Sequence, residues 1–129
     1  MTPIQISLPP WVVCAVAITV ASTACARTAP RLSADSIRRV RVGMNMTEVE
    51  SILGKPLDTR SESVGRTIHD YALARFSGPS LWVSYENDRV ILVHAKLYKV
   101  FGEDHAIYEE APHHSRFETA EFEAVFKSH

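Results

Sequence analysis

The chain has 129 residues and a formal net charge of -1 at pH 7, which leaves room for a targeting segment and one domain of modest size. Nucleic-acid binding needs a concentrated basic face, and a net charge of -1 does not indicate one. A nucleic-acid partner is therefore not predicted. Both cysteines, Cys14 and Cys25, lie near the N-terminus. Removal of a leader would therefore leave no pair for an internal disulfide.

The N-terminus has the pattern of a secretory leader. An apolar run at residues 11–20 precedes a run of small residues at 21–26, and the leader has no charged side chain. Residues 22–25 resemble a bacterial lipobox, in which Cys25 is acylated and becomes the first mature residue. Ser22 occupies a position that is usually aliphatic in that motif.

Two other interpretations of the leader remain open, cleavage after Ala26 and retention as a membrane helix. Ala24 and Ala26 suit an A-x-A cleavage site, which would release a soluble periplasmic protein beginning at Arg27. An uncleaved helix would instead anchor the chain in the inner membrane, and the arginines after it would favour a cytoplasmic C-terminal side. Residues 11–26 are short for that role, since a spanning helix needs about 20 residues.

The segment after the leader, residues 27–34, has no periodic pattern and is predicted to be a tether. Its arginines would favour anionic head groups, or would simply be solvated. A first short helix is predicted to begin near Ser33 or Asp35. Ile37 and Val40 have the spacing of residues that face a core.

The best-marked element is a short helix that begins after Asn45. The Asn45 side chain suits an N-cap, and Glu48 follows three residues later, as a capping box requires. An apolar stripe follows at helical spacing, and Gly54 with Pro56 ends the helix. The stripe consists of Val49, Ile52 and Leu53.

The same stretch resembles the signature of the SmpA/OmlA (BamE-like) lipoprotein domain family, G-M-T-x-x-x-V-x-x-x-L-G-x-P. The matching residues are Gly43, Met44, Val49, Leu53, Gly54 and Pro56. Asn45 stands where the family usually has Thr or Ser, and all three residue types can cap a helix. The resemblance, which extends from about Arg38 to Lys99, implies a lipid anchor at Cys25 and an outer-membrane location facing the periplasm.

Three strands are predicted after this helix. Residues 68–76 alternate weakly between apolar and polar side chains, and residues 81–86 alternate clearly. Asn87 and Asp88 suit a two-residue type I′ hairpin turn, since both tolerate positive φ. Residues 89–98 complete an antiparallel meander.

The predicted fold class is therefore α+β, with two short helices packed on a three-stranded antiparallel meander in the order ααβββ. The predicted divisions are a leader at 1–26, a tether at 27–34, a BamE-like domain at 35–102 and an acidic tail at 103–129. Ser115 and Glu118 suit a capping box, which predicts a helix over residues 116–127.

The sequence has no recognisable catalytic constellation. It lacks a glycine-rich phosphate loop and a nucleophile elbow, and His69 and Asp70 are strand neighbours that point to opposite faces. His113 and His114, with His105 nearby, lack the spacing that places two imidazoles around one ion. No enzymatic activity, metal, cofactor or small-molecule substrate is predicted.

Aromatic residues supply the predicted surface for a protein partner, although aromatics in a small sheet are more often part of the core. The candidates are Trp82, Tyr85 and Phe76. The family resemblance implies a lipid-anchored envelope protein that acts as a scaffold in outer-membrane β-barrel assembly, bound to a barrel-assembly complex. The alternative is a periplasmic protein-binding or inhibitory module with an unrelated partner, since a fold does not fix a function.

Overall fold

A seven-stranded antiparallel sheet and three short helices make up the part of the chain that the computed structural model describes, residues 26–29, 32–74 and 76–127. The strands are β1 (Ala26–Thr28), β2 (Asp58–Ser63), β3 (Arg66–Ala74), β4 (Gly78–Glu86), β5 (Arg89–Tyr98), β6 (His105–Ala111) and β7 (His114–Glu118). The helices are α1 (Ala34–Arg39), α2 (Met46–Leu53) and α3 (Ala120–Val125). Strands β2 to β7 pair in sequence order, and β1 and β2 both pair with β3.

The predicted fold class is wrong, because the sheet has seven strands where three were predicted. Strand β2 was missed because its residues are polar and exposed along their whole length, which leaves no apolar alternation to detect. Strands β6 and β7 extend the sheet through most of the predicted acidic tail.

The predicted C-terminal helix is also wrong in its first turn. Ser115 and Glu118 lie in β7, so they do not form the predicted capping box. The helix α3 begins only after Thr119, whose hydroxyl donates to the Ile107 carbonyl of β6 at 3.3 Å. This bond ties the β7–α3 junction to the sheet.

Helix α2 forms as its sequence predicts. The Glu48 amide donates to Asn45 Oδ1 at 2.8 Å, and the Asn45 amide donates to Glu48 Oε2 at 3.4 Å, so the capping box is confirmed. Gly54 ends the helix with a φ of 82°. Val49 and Leu53 of the predicted stripe are buried.

The three helices pack on one face of the sheet, with the apolar core between the two layers. Each helix contributes buried side chains to one cluster, and these include Ile37 from α1, Leu53 from α2 and Phe122 from α3. The sheet contributes every second residue, because neighbouring strand residues point to opposite faces. Those residues include Leu81, Val83, Tyr85, Val93, Ala95 and Tyr108.

The β4–β5 hairpin holds the start of α2 against the sheet. Asn87 and Asp88 have φ angles of 50° and 64°, which confirms the predicted turn with positive φ at both central residues. Directly after the turn, Val90 O accepts from the Gly43 amide at 2.9 Å, and the Val90 amide donates to Met44 O at 2.8 Å. The loop between α1 and α2 is therefore hydrogen-bonded to β5.

The predicted leader and Cys25 lie outside the described residues, apart from Ala26. Ala26 to Thr28 form β1, which pairs with β3 where a tether was predicted, and Ala29 and Leu32 are buried. None of the helices in the described ranges has the length and apolar character needed to cross a bilayer.

Candidate interaction face

The face of the sheet that points away from the helices carries a row of side chains across six strands. Residues directly opposite one another on neighbouring strands share a face. The strand register therefore aligns Asp58, Asp70, Trp82, His94, Glu109 and Phe117, from β2 to β7. These residues, together with Arg60 and His114, are termed the cross-strand row.

Strand alternation explains why Trp82 points away from the core. Its neighbours Leu81 and Val83 are fully buried beneath the helices, so Trp82 must lie on the other face. The same rule applies to His94, which lies between the buried residues Val93 and Ala95. Both side chains remain partly accessible to solvent.

Trp82 and His94 pack against each other at the centre of the row. Their ring centroids lie 4.5 Å apart and their planes meet at 33°, which is within the range of favourable aromatic contacts. This contact fixes the orientation of the indole before any partner arrives, and a pre-oriented side chain loses less entropy on binding.

An ion pair flanks Trp82 on the β2 side. Arg60 Nε donates to Asp70 Oδ2 at 2.7 Å, and Arg60 Nη2 donates to Asp70 Oδ1 at 3.0 Å. These hydrogen bonds raise the pKa of Arg60 above its usual value. The Asp70 side chain is 4% exposed and that of Arg60 is 52% exposed, so the guanidinium covers the carboxylate and presents a cation to solvent.

The Glu109 carboxylate links two histidines on the other side of the row. Its Oε2 atom lies 2.9 Å from His94 Nδ1, and its Oε1 atom lies 2.9 Å from His114 Nε2. The second ring nitrogen of His114, Nδ1, faces the Ser115 carbonyl oxygen at 3.0 Å. Only a doubly protonated imidazole donates to both acceptors, so the Ser115 carbonyl and then Glu109 raise the pKa of His114.

The structure places the predicted partner-binding residues in three different environments. Trp82 lies at the centre of the cross-strand row, and Phe76 is exposed on the turn between β3 and β4. Tyr85 is 0% exposed and lies in the core, so a partner cannot reach it on this surface. The predicted lipidation site, Cys25, lies outside the described residues.

Sequence reasoning missed most of the residues that surround Trp82. The alternation of β5 was sufficient to place His94 opposite the core face. Glu109 and His114 had no such signal, because β6 and β7 were not recognised as strands. Arg60 was missed with β2, whose side chains are all polar.

Three polar side chains, separate from the cross-strand row, lie inside the core. Among the described residues, His69 Nδ1 and the hydroxyls of Tyr71 and Tyr85 have no hydrogen-bond partner, although the two hydroxyls influence each other's ionisation. Burial lowers the pKa of His69, raises the pKa of Tyr71 to about 12 and raises that of Tyr85 further. Because all three side chains are buried, a substrate would have to displace the core to reach them.

Two further features of the described residues bear on a small-ligand site. Within the described ranges, no group of three or more His, Cys, Asp or Glu side chains is arranged to hold a metal ion. A cavity of about 370 Å³ lies between β1, the start of β4 and α3. The described residues that line it are Thr28, Ala29, Leu32, Pro79, Ala124, Val125, Phe126 and Lys127, which include no acid to pair with the lysine.

Comparison of the chain with protein-family models, with curated proteins and with solved structures gives no significant match. The SmpA/OmlA resemblance therefore stays a prediction that rests on the residues from Gly43 to Pro56.

Proposed function

We propose that this protein is a lipid-anchored accessory protein of the cell envelope that acts by binding a protein partner, without turning over a substrate. The observation that carries the proposal is the cross-strand row. The helices cover one face of the sheet, and the opposite face presents Trp82 between an arginine–carboxylate pair and a histidine–carboxylate cluster.

The composition of the row suits a protein-binding surface. Tryptophan and arginine are enriched among the residues that dominate binding energy, and such residues are commonly ringed by polar contacts that exclude water. Here Trp82 is the apolar centre, Arg60 lies beside it, and the polar ring is already hydrogen-bonded. A partner therefore meets a surface whose polar groups need little rearrangement.

The face that carries the cross-strand row is a better candidate for binding a partner than the edges of the sheet are. An incoming strand would need an unpaired edge, and among the described strands β1, β2 and β7 lie at the edges of the sheet. However, β1 has only 3 residues and β7 has 5, and β2 carries Asp58, Arg60 and Glu62. Short and charged edge strands discourage pairing with another chain.

The family resemblance supports the anchor and the identity of the partner. It supports acylation of Cys25, an outer-membrane position facing the periplasm, and a scaffold role with a barrel-assembly complex. Binding of an unrelated periplasmic protein by the same face is the alternative, and the partner recovered from cells separates the two.

The test combines fatty-acid labelling with co-purification of the full chain from bacterial cells. The wild-type chain is expected to take up the label, and Cys25→Ser is expected to abolish it. Trp82→Ala is expected to reduce recovery of the partner about tenfold or more, as for a residue that contributes over ~1.4 kcal/mol to binding. Val64→Ala, which removes an exposed apolar side chain outside the row, serves as the matched control.

Each part of the proposal has its own contrary result. An unlabelled wild-type chain would contradict the lipid anchor. Recovery of one partner in equal amounts with Trp82→Ala and Val64→Ala would contradict the role of the row. A stoichiometric partner other than a barrel-assembly component would favour the alternative.

A further inference from the structure

Two turns and the N-terminal strand lie at the same end of the sheet. Ala26 at the start of β1 lies opposite Ala74 at the end of β3, and Gly78 at the start of β4 lies opposite Tyr98 at the end of β5. The start of β1, the β3–β4 turn and the β5–β6 loop at residues 99–104 therefore share one end. This end is termed the N-terminal end of the sheet.

The N-terminal end exposes three large apolar side chains. Phe76 in the β3–β4 turn is 73% exposed, and Val100 and Phe101 in the β5–β6 loop are 60% and 92% exposed. Large apolar side chains that cluster at one exposed place mark a surface that contacts something other than water.

The β5–β6 loop is built to hold its apolar residues outward. The Lys99 amide donates to Asp104 Oδ1 at 3.3 Å, which closes the base of the loop. Gly102 has a φ of 121°, a conformation that residues with a side chain rarely adopt, and it turns the chain back directly after Phe101. Phe101 therefore lies at the tip of a closed loop.

The opposite end of the sheet differs in character. Its turns contain Asn87 and Asp88 between β4 and β5, and Pro112 and His113 between β6 and β7. Among the described residues at that end, Val64 is the one large apolar side chain that is strongly exposed. The concentration of exposed apolar side chains is thus specific to the N-terminal end.

The N-terminal segment of the chain joins the sheet at this end. Cys25 is one peptide bond from Ala26, where β1 begins, and residues 21–25 separate the apolar run at residues 11–20 from this strand. A lipid on Cys25 or a retained apolar helix would both attach the chain to a membrane at the N-terminal end. Ala26 and the apolar tips lie at the same end of the sheet, so a bilayer that held an anchor on the residues before Ala26 would lie close to these tips.

We propose that Phe76, Val100 and Phe101 dock the N-terminal end of the sheet into the interface of the lipid bilayer, as a second membrane contact beside the anchor. The inference rests on the membrane anchoring proposed above. Aromatic side chains favour the depth of the lipid head groups, and stable attachment to a bilayer commonly combines two signals. The cross-strand row then runs parallel to the membrane plane, and the sheet face that carries it is roughly perpendicular to that plane.

The charges near the tips predict the type of lipid contact. Lys99 is accompanied in the same loop by the exposed carboxylates of Glu103 and Asp104. This loop therefore lacks the excess of basic residues that attracts anionic lipids. Docking is expected to depend on insertion of the apolar side chains of Phe76, Val100 and Phe101.

The test places a fluorescent reporter at each end of the sheet in the full chain. The chain is purified with its anchor from bacterial membranes and reconstituted into phosphatidylcholine vesicles, and flotation measures anchoring separately. Phe101→Trp is expected to add emission that is blue-shifted and is quenched by lipids brominated in the acyl chain. Val64→Trp is the matched control, and its added emission is expected to be red-shifted and quenched by aqueous iodide instead.

The possible outcomes separate this inference from the proposed function. If the Phe101→Trp chain floats with vesicles while its added indole is quenched by iodide and not by brominated lipid, the docking alone is overturned. A chain that does not float would contradict both proposals. Protection of the added indole from both quenchers would indicate contact between protein copies, which also contradicts docking into lipid.

A second variant removes the apolar tips without changing the anchor. The triple substitution Phe76→Ser, Val100→Ser and Phe101→Ser is expected to speed the transfer of the protein from donor to acceptor vesicles. Val64→Ser is expected to leave that rate unchanged. Equal rates for wild type and the triple variant would overturn the inference, and matching circular dichroism spectra would show that each variant is folded.

Discussion

The imidazole of His69 lies in the core against Tyr85, with ring centroids 4.8 Å apart and 5% of its surface exposed. Its Nδ1 atom has no hydrogen-bond partner in the part of the chain that the structure describes, and burial lowers its pKa below the usual 6.5. The folded protein therefore holds His69 neutral at a pH where the unfolded chain binds a proton. Stability must then rise with pH in the window between the folded pKa and 6.5, and it must fall on acidification through that window.

We expect His69→Phe to reduce this pH dependence. The substitution keeps an aromatic ring in the core and removes a nitrogen that lacks a partner, so at pH 7.5 it should be neutral or stabilising by up to ~1 kcal/mol. At pH 5 the advantage of the variant should be larger, because wild type alone loses stability by protonation of the unfolded His69. Urea unfolding at both pH values measures the difference.

The control for this prediction is His113→Gln, which changes an exposed histidine in the β6–β7 turn. His114, whose pKa is raised, contributes with the opposite sign, since its stabilisation is present below pH 6.5 and is lost as pH rises through its folded pKa. That contribution is common to wild type and His69→Phe and cancels in the comparison. An equal effect of His69→Phe at both pH values would contradict the account.

Residue identity alone predicted some side-chain positions and not others. Asn45 was predicted correctly because a capping box depends on residues three apart, which the sequence displays directly. Tyr85 and Trp82 were indistinguishable as candidate contacts, since both are large aromatics on the same strand. Their alternation around Leu81 and Val83 separates them once it is known which face the helices cover.

At the level of elements, Arg38 connects parts of the chain that are far apart in sequence. From α1 it donates to the Glu118 carboxylate of β7, to Glu123 of α3 at 3.2 Å and to Asp35 of its own helix at 2.9 Å. Its guanidinium also lies 5.4 Å from the centroid of the Phe122 ring. These hydrogen bonds raise the pKa of Arg38 and lower that of Glu118, so the pair stays charged at neutral pH.

We expect Arg38→Ala to lower the free energy of unfolding by about 1–2 kcal/mol. This loss is smaller than the loss expected from breaking a fully buried charged network, because the Arg38 side chain is 24% exposed. The neighbouring Arg39 is exposed on the same helix, and Arg39→Ala is expected to change stability by no more than about 0.5 kcal/mol. Urea unfolding at pH 7 compares the two variants. Equal losses would show that the Arg38 contacts with β7 and α3 do not stabilise the fold.

Elements were predictable where the pattern of apolar residues is local and complete. Helix α2 and strands β4 and β5 have such patterns in their sequences, with caps, an apolar stripe or alternation over most of the strand. Strand β2 has no apolar face because it is a polar edge strand. In β6, Ile107 and Tyr108 are consecutive and both buried, because Ile107 is the extra residue of a β-bulge opposite Ala95 and Lys96 of β5. That pair of residues breaks the alternation that marks a strand.

In the described part of the chain, helices cover one face of an antiparallel sheet, and no described element covers the other face. The sequence could predict that helices cover a sheet, since amphipathic helices precede alternating strands. It could not predict the width of the sheet, because pairing of β2, β6 and β7 depends on contacts between distant parts of the chain. The open face and its cross-strand row exist only in the assembled sheet.

The central claim is that the open face binds a protein partner, and site-specific photo-crosslinking in cells tests it most directly. The photoreactive residue replaces Leu92, which shares the face of His94 on β5, or Ser51, which is exposed on α2 across the domain. We expect Leu92 to give one discrete protein adduct that disappears when Trp82→Ala is added, and Ser51 to give none. An adduct from Ser51 with none from Leu92 would contradict the claim.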